Sequence, residues 1–174
     1  MDEIIIKQLK TAYGELLLGS YKEKVCLCDW VYRSMRSQID KRIQDGLNAS
    51  YREGDSPLLK ELEKQIDEYF LKKRTEFDLP LLTIGSDFQK TVWTALLEVK
   101  YGQTRTYSDL SEMIGKPKAV RAVGSANGAN AIAIIIPCHR IIGKGGSLGG
   151  YAGGLSAKRR LLELEGQPLL NWGD

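Results

Sequence analysis

Cys138 and His139, the only histidine of the chain, stand side by side at the end of the apolar run from Ile132 to Pro137. A cysteine attacks as thiolate rather than thiol, and imidazole is the commonest neighbour that takes its proton near neutral pH. The pair therefore points to a cysteine nucleophile. A structural cysteine beside a chance histidine is the competing reading, because free cysteine is among the most buried residue types. Neighbouring side chains on a strand face opposite ways, so the two can cooperate only where the chain leaves the strand. Pro137 marks that departure, since it cannot donate to a ladder.

Helical patterns flank the pair. Ser86 is placed to cap a helix whose Phe88, Val92, Trp93, Leu96 and Leu97 form one apolar stripe, and Tyr101-Gly102 follows as a turn. Thr106 caps a second, short helix in which Asp109 favours the free amides of the first turn, and Gly115 ends it. Lys116-Pro117 leads into a third helix from Lys118 to Ala126. A short helix, a glycine turn and a helix carrying Lys118, Arg121 and small residues suit a helix-turn-helix; an ordinary helical hairpin suits this segment equally well. The apolar run then reads as a strand. Beyond Arg140, glycine recurs from Gly143 to Gly154 around Tyr151, a density that permits tight turns and close backbone approach to a flat ligand. A last helix begins at Ser156, carries Leu161, Leu162 and Leu164, and stops at Gly166 after Glu165.

In the N-terminal half, Ile4 to Leu9, Glu15 to Gly19 and Lys24 to Val31 read as three short strands of an antiparallel meander. Residues Arg33 to Tyr51 are polar and weakly periodic, and their conformation stays open. Ser56-Pro57 opens a helix in which Leu58, Leu62, Ile66, Tyr69 and Phe70 recur at helical spacing through Lys73. Phe77 to Leu82, with Pro80, looks like a linker or edge strand, so the expected domains are 1–80 and 81–174. Cys26 and Cys28 share one face of the third strand, where packing is the expected role; two thiols are too few for a metal.

Hydrophobic residues make up 43% and charged residues 27% of the 174 positions, the balance of a soluble globular chain. The apolar run is too short to span a bilayer, so no membrane partner is expected. Three cysteines and no secretory leader lead us to expect a reducing setting, cytoplasmic or, in a eukaryotic source, nuclear. Residues 1–80 carry 14 Lys and Arg against 15 Asp and Glu, whereas residues 81–174 carry 11 against 7. Between Arg105 and Lys144, six basic residues face only Asp109 and Glu112. A phosphate-binding face needs such an excess, although a solvated basic surface is its more frequent cause.

Taken in order, Phe88-Gln89-Lys90-Thr91-Val92-Trp93, Tyr101-Gly102, Thr106-Tyr107, Arg121-Ala122-Val123-Gly124, Asn130, Pro137-Cys138-His139-Arg140, Gly150-Tyr151 and Glu165-Gly166 resemble one family. It is that of the O6-alkylguanine-DNA alkyltransferases, the methylated-DNA–protein-cysteine methyltransferases. The resemblance implies an α/β plus α protein: an N-terminal sheet-and-helix domain like ribonuclease H, then a helix-turn-helix, winged-helix-like alkyltransferase domain.

It also implies DNA repair by direct reversal, in which Cys138 takes a methyl or other alkyl group from O6 of guanine, or from O4 of thymine, and keeps it. His139 would act as base through a bridging water, Glu165 would orient the imidazole, and Asn130 would steady the turn carrying the cysteine. Because the target oxygen lies inside the duplex stack, the nucleotide must be flipped out. Tyr107 would drive that rotation and Arg121 would fill the vacated stack, on a helix docked in the minor groove. Tyr151 would wall the base pocket, the amide of Ala152 and the carbonyls of Cys138 and Ile141 would read the base edge, and Lys118 and Arg140 complete the expected DNA-binding set.

The implied partner is double-stranded DNA containing O6-alkylguanine, met by a monomer or by monomers binding cooperatively; no cofactor and no metal are expected. The chain departs from the family at Ala131, where proline usually follows the asparagine and whose loss should loosen the turn. It departs again at Ala152, often serine in relatives. The competing classes are a non-catalytic protein that binds alkyl lesions, which would lack the cysteine, a cysteine hydrolase, and a simple DNA-binding regulator.

Overall fold

Short apolar runs, Ile4 to Ile6, Leu16 to Leu18 and Val25 to Cys28, lie in three successive strands at the N-terminus: β1 (Asp2–Thr11), β2 (Gly14–Tyr21) and β3 (Lys24–Trp30). They pair antiparallel as the expected meander, with a register shift at Gly19/Ser20. A Cβ on Gly19 would stand 2.9 Å from Cβ of Leu27, closer than the packing allows, so the residue there must be glycine. The computed structural model describes residues 1–168; positions 169–174 lie outside the described residues.

The stretch left open in the sequence resolves into α1 (Arg36–Leu47) and β4 (Ala49–Glu53). β4 runs parallel to β1, so the sheet order is β3-β2-β1-β4, with α1 as the crossover that a parallel pair requires. Little in the local sequence announces either element. Helix α1 starts at Met35, in the left-handed region with no side-chain cap, and buries only Ile39 and Ile43. Its entry is held from the sheet instead: the buried carboxylate of Asp29 on β3 accepts from Arg33 and from Arg36, each at 3.1 Å.

Helix α2 (Pro57–Phe70) follows its sequence signals closely. The Ser56 hydroxyl accepts from the Leu59 amide at 3.1 Å, and Leu59, Leu62, Ile66 and Tyr69 are buried, each such aliphatic contributing roughly 1.5–3 kcal/mol. Cys26 and Cys28 are buried free thiols, and burial pushes Cys26 up to about 12 and Cys28 higher still, so both are inert packing residues. Leu81 extends the sheet edge: Val25 donates to the Pro80 carbonyl and Leu82 to the Val25 carbonyl, both at 2.8 Å. Those bonds carry the first unit on to Gly85, where the sequence reading ended it after Pro80.

In the second unit, α3 (Asp87–Leu96) begins at the expected cap, with Ser86 and Gln89 forming a reciprocal capping box. Its buried Trp93 donates the indole N–H to the Ala126 carbonyl at 2.8 Å. That carbonyl belongs to α5 (Val120–Gly128), which starts later than the expected Lys118. Between them, α4 (Tyr107–Met113) carries a second capping box, Thr106 with Asp109, and ends at Gly115, whose φ of 72° suits glycine. The α4–turn–α5 pair is the helix-turn-helix, and α6 (Leu155–Leu164) closes the unit at Gly166.

One expected element is absent. Residues 132–137 form a string of tight turns rather than a strand, with Ile134 at a φ of 72° that a β-branched residue adopts only under strain. Buried apolar side chains made the run read as a strand; the Asn130 amide bends it into turns.

Candidate active site

Asn130 holds the loop that presents the thiol. Its side-chain amide donates to the Ile136 carbonyl at 2.8 Å and its oxygen accepts from the Ile132 amide at 3.0 Å. Both ends of the 132–136 loop are therefore tied to one side chain, and Ala131 in place of proline has not undone the turn. Cys138 follows as the first residue of a 3-10 turn, Cys138–Arg140, capped by Pro137. Side chains on such a turn diverge by about a third of a circle per residue, which suits a relay through a water better than direct contact between Cys138 and His139.

Two short strands bring the thiol under the helix-turn-helix. Residues β5 (Arg105–Thr106) pair in parallel with β6 (Ile141–Ile142), Arg105 opposite Ile141 and Thr106 opposite Ile142. Tyr107, the first residue of α4, thus stands beside the segment that directly follows the Cys138 turn. Its hydroxyl is hydrogen-bonded to the Gly150 backbone, and burial, aided by nearby Cys138, raises its pKa and makes it a weaker acid. A Cβ on Gly149 would stand 3.0 Å from that hydroxyl, so the glycine lets the loop close on the tyrosine.

His139 is fully buried, and its Nε2 donates to Oε2 of Glu165 at 2.8 Å. Arg140 binds the same carboxylate in a fork, Nε to Oε1 at 2.8 Å and Nη2 to Oε2 at 2.9 Å. Burial alone would raise the Glu165 carboxyl, but His139 and Arg140 outweigh it and hold the group at about 2. Burial pushes His139 below its ordinary range; Glu165 pulls the other way, while Arg140 and Lys158 reinforce the fall. The imidazole is accordingly a neutral base with its Nε2 proton on an ionised carboxylate. Among the described residues Nδ1 of His139 has no hydrogen-bond partner, so in the neutral Nε2–H tautomer its lone pair is unused.

Arg140 was expected among the DNA-binding residues, yet its guanidinium lies inside the unit, bonded to Glu165 and, through Nη1, to the Val99 carbonyl at 2.7 Å. Buried, with three of its five N–H groups committed inside the unit, the guanidinium is not presented at the surface. Arg121 and Lys118 are exposed, Arg121 on the first turn of α5 and Lys118 in the turn before it. Tyr151 and Ala152 are half-buried in the glycine-rich loop. The two carbonyls expected to read a base are already in use: Cys138 O accepts from the Ile141 amide and from Asn127 Nδ2, and Ile141 O accepts from Lys158.

Lys158 and Asn127 escaped the sequence reading. Lys158 is fully buried, donates to the carbonyls of Ile141 at 2.5 Å and Gly150 at 3.0 Å, and is pushed down to about 8 by burial, with Cys138 opposing the fall. Its signal was present: Leu161 and Leu162 lie one turn on, so Lys158 shares the apolar face of α6. Asn127 likewise follows Val123 on the buried face of α5, and its Oδ1 has no partner among the described residues.

Comparison with known proteins agrees with both units. Residues 6–83 match the family model of the ribonuclease-like domain of 6-O-methylguanine DNA methyltransferase, and residues 87–167 match that of its DNA binding domain. The chain belongs to this family. It is 57% identical over 106 residues to the methylated-DNA–protein-cysteine methyltransferase of Methanosarcina barkeri, covering 61% of this chain and 67% of that protein. The protein of the same name from Mycobacterium bovis is 56% identical over 101 residues, 58% of this chain and 61% of that one. The crystal structure of Mycobacterium tuberculosis OGT in complex with DNA superposes with a TM-score of 0.78 at 38% identity, covering 94% of this chain and 92% of the other.

Proposed function

We propose that this chain repairs DNA by direct reversal, moving a methyl or other alkyl group from O6 of guanine irreversibly onto Cys138 after flipping the nucleotide. The observation that carries the reading is the buried His139–Glu165 pair directly after Cys138 in one tight turn, in a unit whose helix α5 exposes Arg121. A lesion-binding protein would need no neutral imidazole poised on an ionised carboxylate beside a thiol, and a buried charge of that kind is costly to keep without a use. The relatives are methyltransferases by name and one was crystallised with DNA, which supports double-stranded DNA as the partner.

In this reading Cys138 is the nucleophile and acceptor, His139 the base, Glu165 its orienting partner, and Asn130 the tie of the supporting loop. Tyr107 and Arg121 act on the nucleotide, Lys118 on the backbone, and Tyr151 with Ala152 and Ile141 on the flipped base. A soft, ionised sulfur suits displacement at carbon, and the thioether it forms does not hydrolyse, so each molecule acts once. Three free thiols suit a reducing compartment, which we infer to be the cytoplasm, or the nucleus in a eukaryotic source. No helix among the described residues is long and apolar enough to cross a membrane.

Duplex DNA carrying a labelled O6-methylguanine tests the reading. Label should appear on Cys138 in at most equimolar amount and not at all in Cys138→Ala. Repeated turnover, or label surviving that substitution, would refute it.

A further inference from the structure

His139 does not have Glu165 to itself. Oε2 of the carboxylate accepts from His139 at 2.8 Å and from Arg140 Nη2 at 2.9 Å, while Oε1 accepts from Arg140 Nε at 2.8 Å. Arg140 is fixed in turn by the Val99 carbonyl and by the ring of Tyr101, 5.8 Å from its guanidinium carbon to the ring centroid. Tyr101 itself donates to the Leu164 carbonyl at 3.2 Å, next to Glu165. In this pose the arginine balances the charge of the carboxylate.

The charged groups that act on His139 come from its own turn and from α6: Arg140 beside it in the chain, Glu165 at the end of α6 and Lys158 within it, with the Cys138 thiol on the preceding residue. With Glu165 balanced by Arg140 and with Lys158 also cationic, an imidazolium here is an uncompensated charge in a buried site. A thiolate at Cys138 supplies the missing compensation.

We propose that Arg140 is a positioning residue of the transfer reaction: by occupying both oxygens of Glu165 it lets His139 hold a proton only while Cys138 carries the opposite charge. The inference rests on Cys138 being the alkyl acceptor. The thiol proton passes through water to Nδ1 of His139, a sulfur electron pair forms the S–C bond, and the C–O6 bond breaks with its electrons left on the guanine oxygen. Once the sulfur is a neutral thioether, the imidazolium has lost its counter-charge. It gives up its proton, and guanine takes up one.

The single histidine makes the test direct, because one imidazole signal reports the state of the site. In a nitrogen-15 histidine titration of the full chain by NMR, the wild-type ring should be the neutral Nε2–H tautomer with a midpoint below 6.5. Arg140→Lys, which keeps a charge without the fork, and Arg140→Gln should raise that midpoint by about one pH unit or more. Benzyl transfer from O6-benzylguanine should then be about tenfold slower than wild type at about pH 6 but within about threefold at about pH 8. A wild-type midpoint above 6.5 overturns the proposal even if neither variant folds, as does a folded Arg140→Lys with wild-type titration and rate profile. Failure of the wild-type chain to become alkylated would overturn the repair function instead, and the titration does not depend on it.

Discussion

Lys158 donates to the carbonyl of Ile141 at 2.5 Å and, with the same ammonium, to that of Gly150 at 3.0 Å. One buried cation thus clasps the segment that follows the nucleophile to the glycine-rich loop that would hold the base. Lys158→Met should cost about 1–3 kcal/mol, because two carbonyls lose their donor while a desolvated charge is removed. The same change takes a positive charge from beside Cys138, so transfer from O6-benzylguanine should slow about tenfold or more. Urea midpoints and single-turnover rates check both; an unchanged rate would mean that the clasp does not serve the thiolate.

Asn130 supplies the side-chain tie of the supporting loop, whose turns also close through their own backbone bonds. Asn130→Ala takes the partner of the Ile132 amide and leaves the Ile136 carbonyl with the Cys138 amide alone, at roughly 1–3 kcal/mol in total. Alkyl transfer should fall by more than stability explains, since the strained turn at Ile134 loses what holds it. Rates measured well below the melting temperature separate the two effects.

Stability should fall on the acid side of neutrality, and His139 should account for part of it. Its folded constant lies below the ordinary 6.5, so as pH falls through 6.5 the unfolded chain takes up a proton that the folded chain refuses. Folding is therefore favoured fully above that value and loses ground below it. Urea midpoints for the wild type should drop between about pH 6.5 and 5, and His139→Gln should flatten that part of the curve. A steeper drop in the variant would show that the imidazole is charged in the fold.

Arg121 is exposed on α5, away from the buried relay. Arg121→Ala should slow repair of methylated duplex DNA about tenfold or more while leaving reaction with free O6-benzylguanine within about twofold, since only the duplex requires a base to be extruded. Equal losses on both substrates would assign the residue to the chemistry or the fold.

Signals legible in the sequence were those in which a residue type answers a local need. Ser56, Ser86 and Thr106 cap the helices that they were expected to cap, because an N-terminal turn leaves amides free and a hydroxyl satisfies one of them. The meander is legible from three short apolar runs joined by short links. Helix α1 and strand β4 were not, since the first is anchored by Asp29 on another strand and the second is a strand only because β1 lies beside it. The apolar run before Cys138 misled for a related reason: burial makes a sequence look like a strand, while the Asn130 side chain decides that it turns.

For the site, the sequence by itself determined the reagents: a thiol with an imidazole next to it, a carboxylate at the end of a helix, and an asparagine before the loop. Spacing and residue type suffice for that, because they reflect which atoms can do the chemistry. Only the tertiary structure decided the charge state in which those reagents are held. Arg140, which as a basic residue beside the thiol reads as a DNA contact, lies buried on Glu165, and Lys158, which belongs to no motif, is buried beside the segment after Cys138. Electrostatic partnership in a buried site depends on distance and burial across elements far apart in the chain, and no local pattern encodes either.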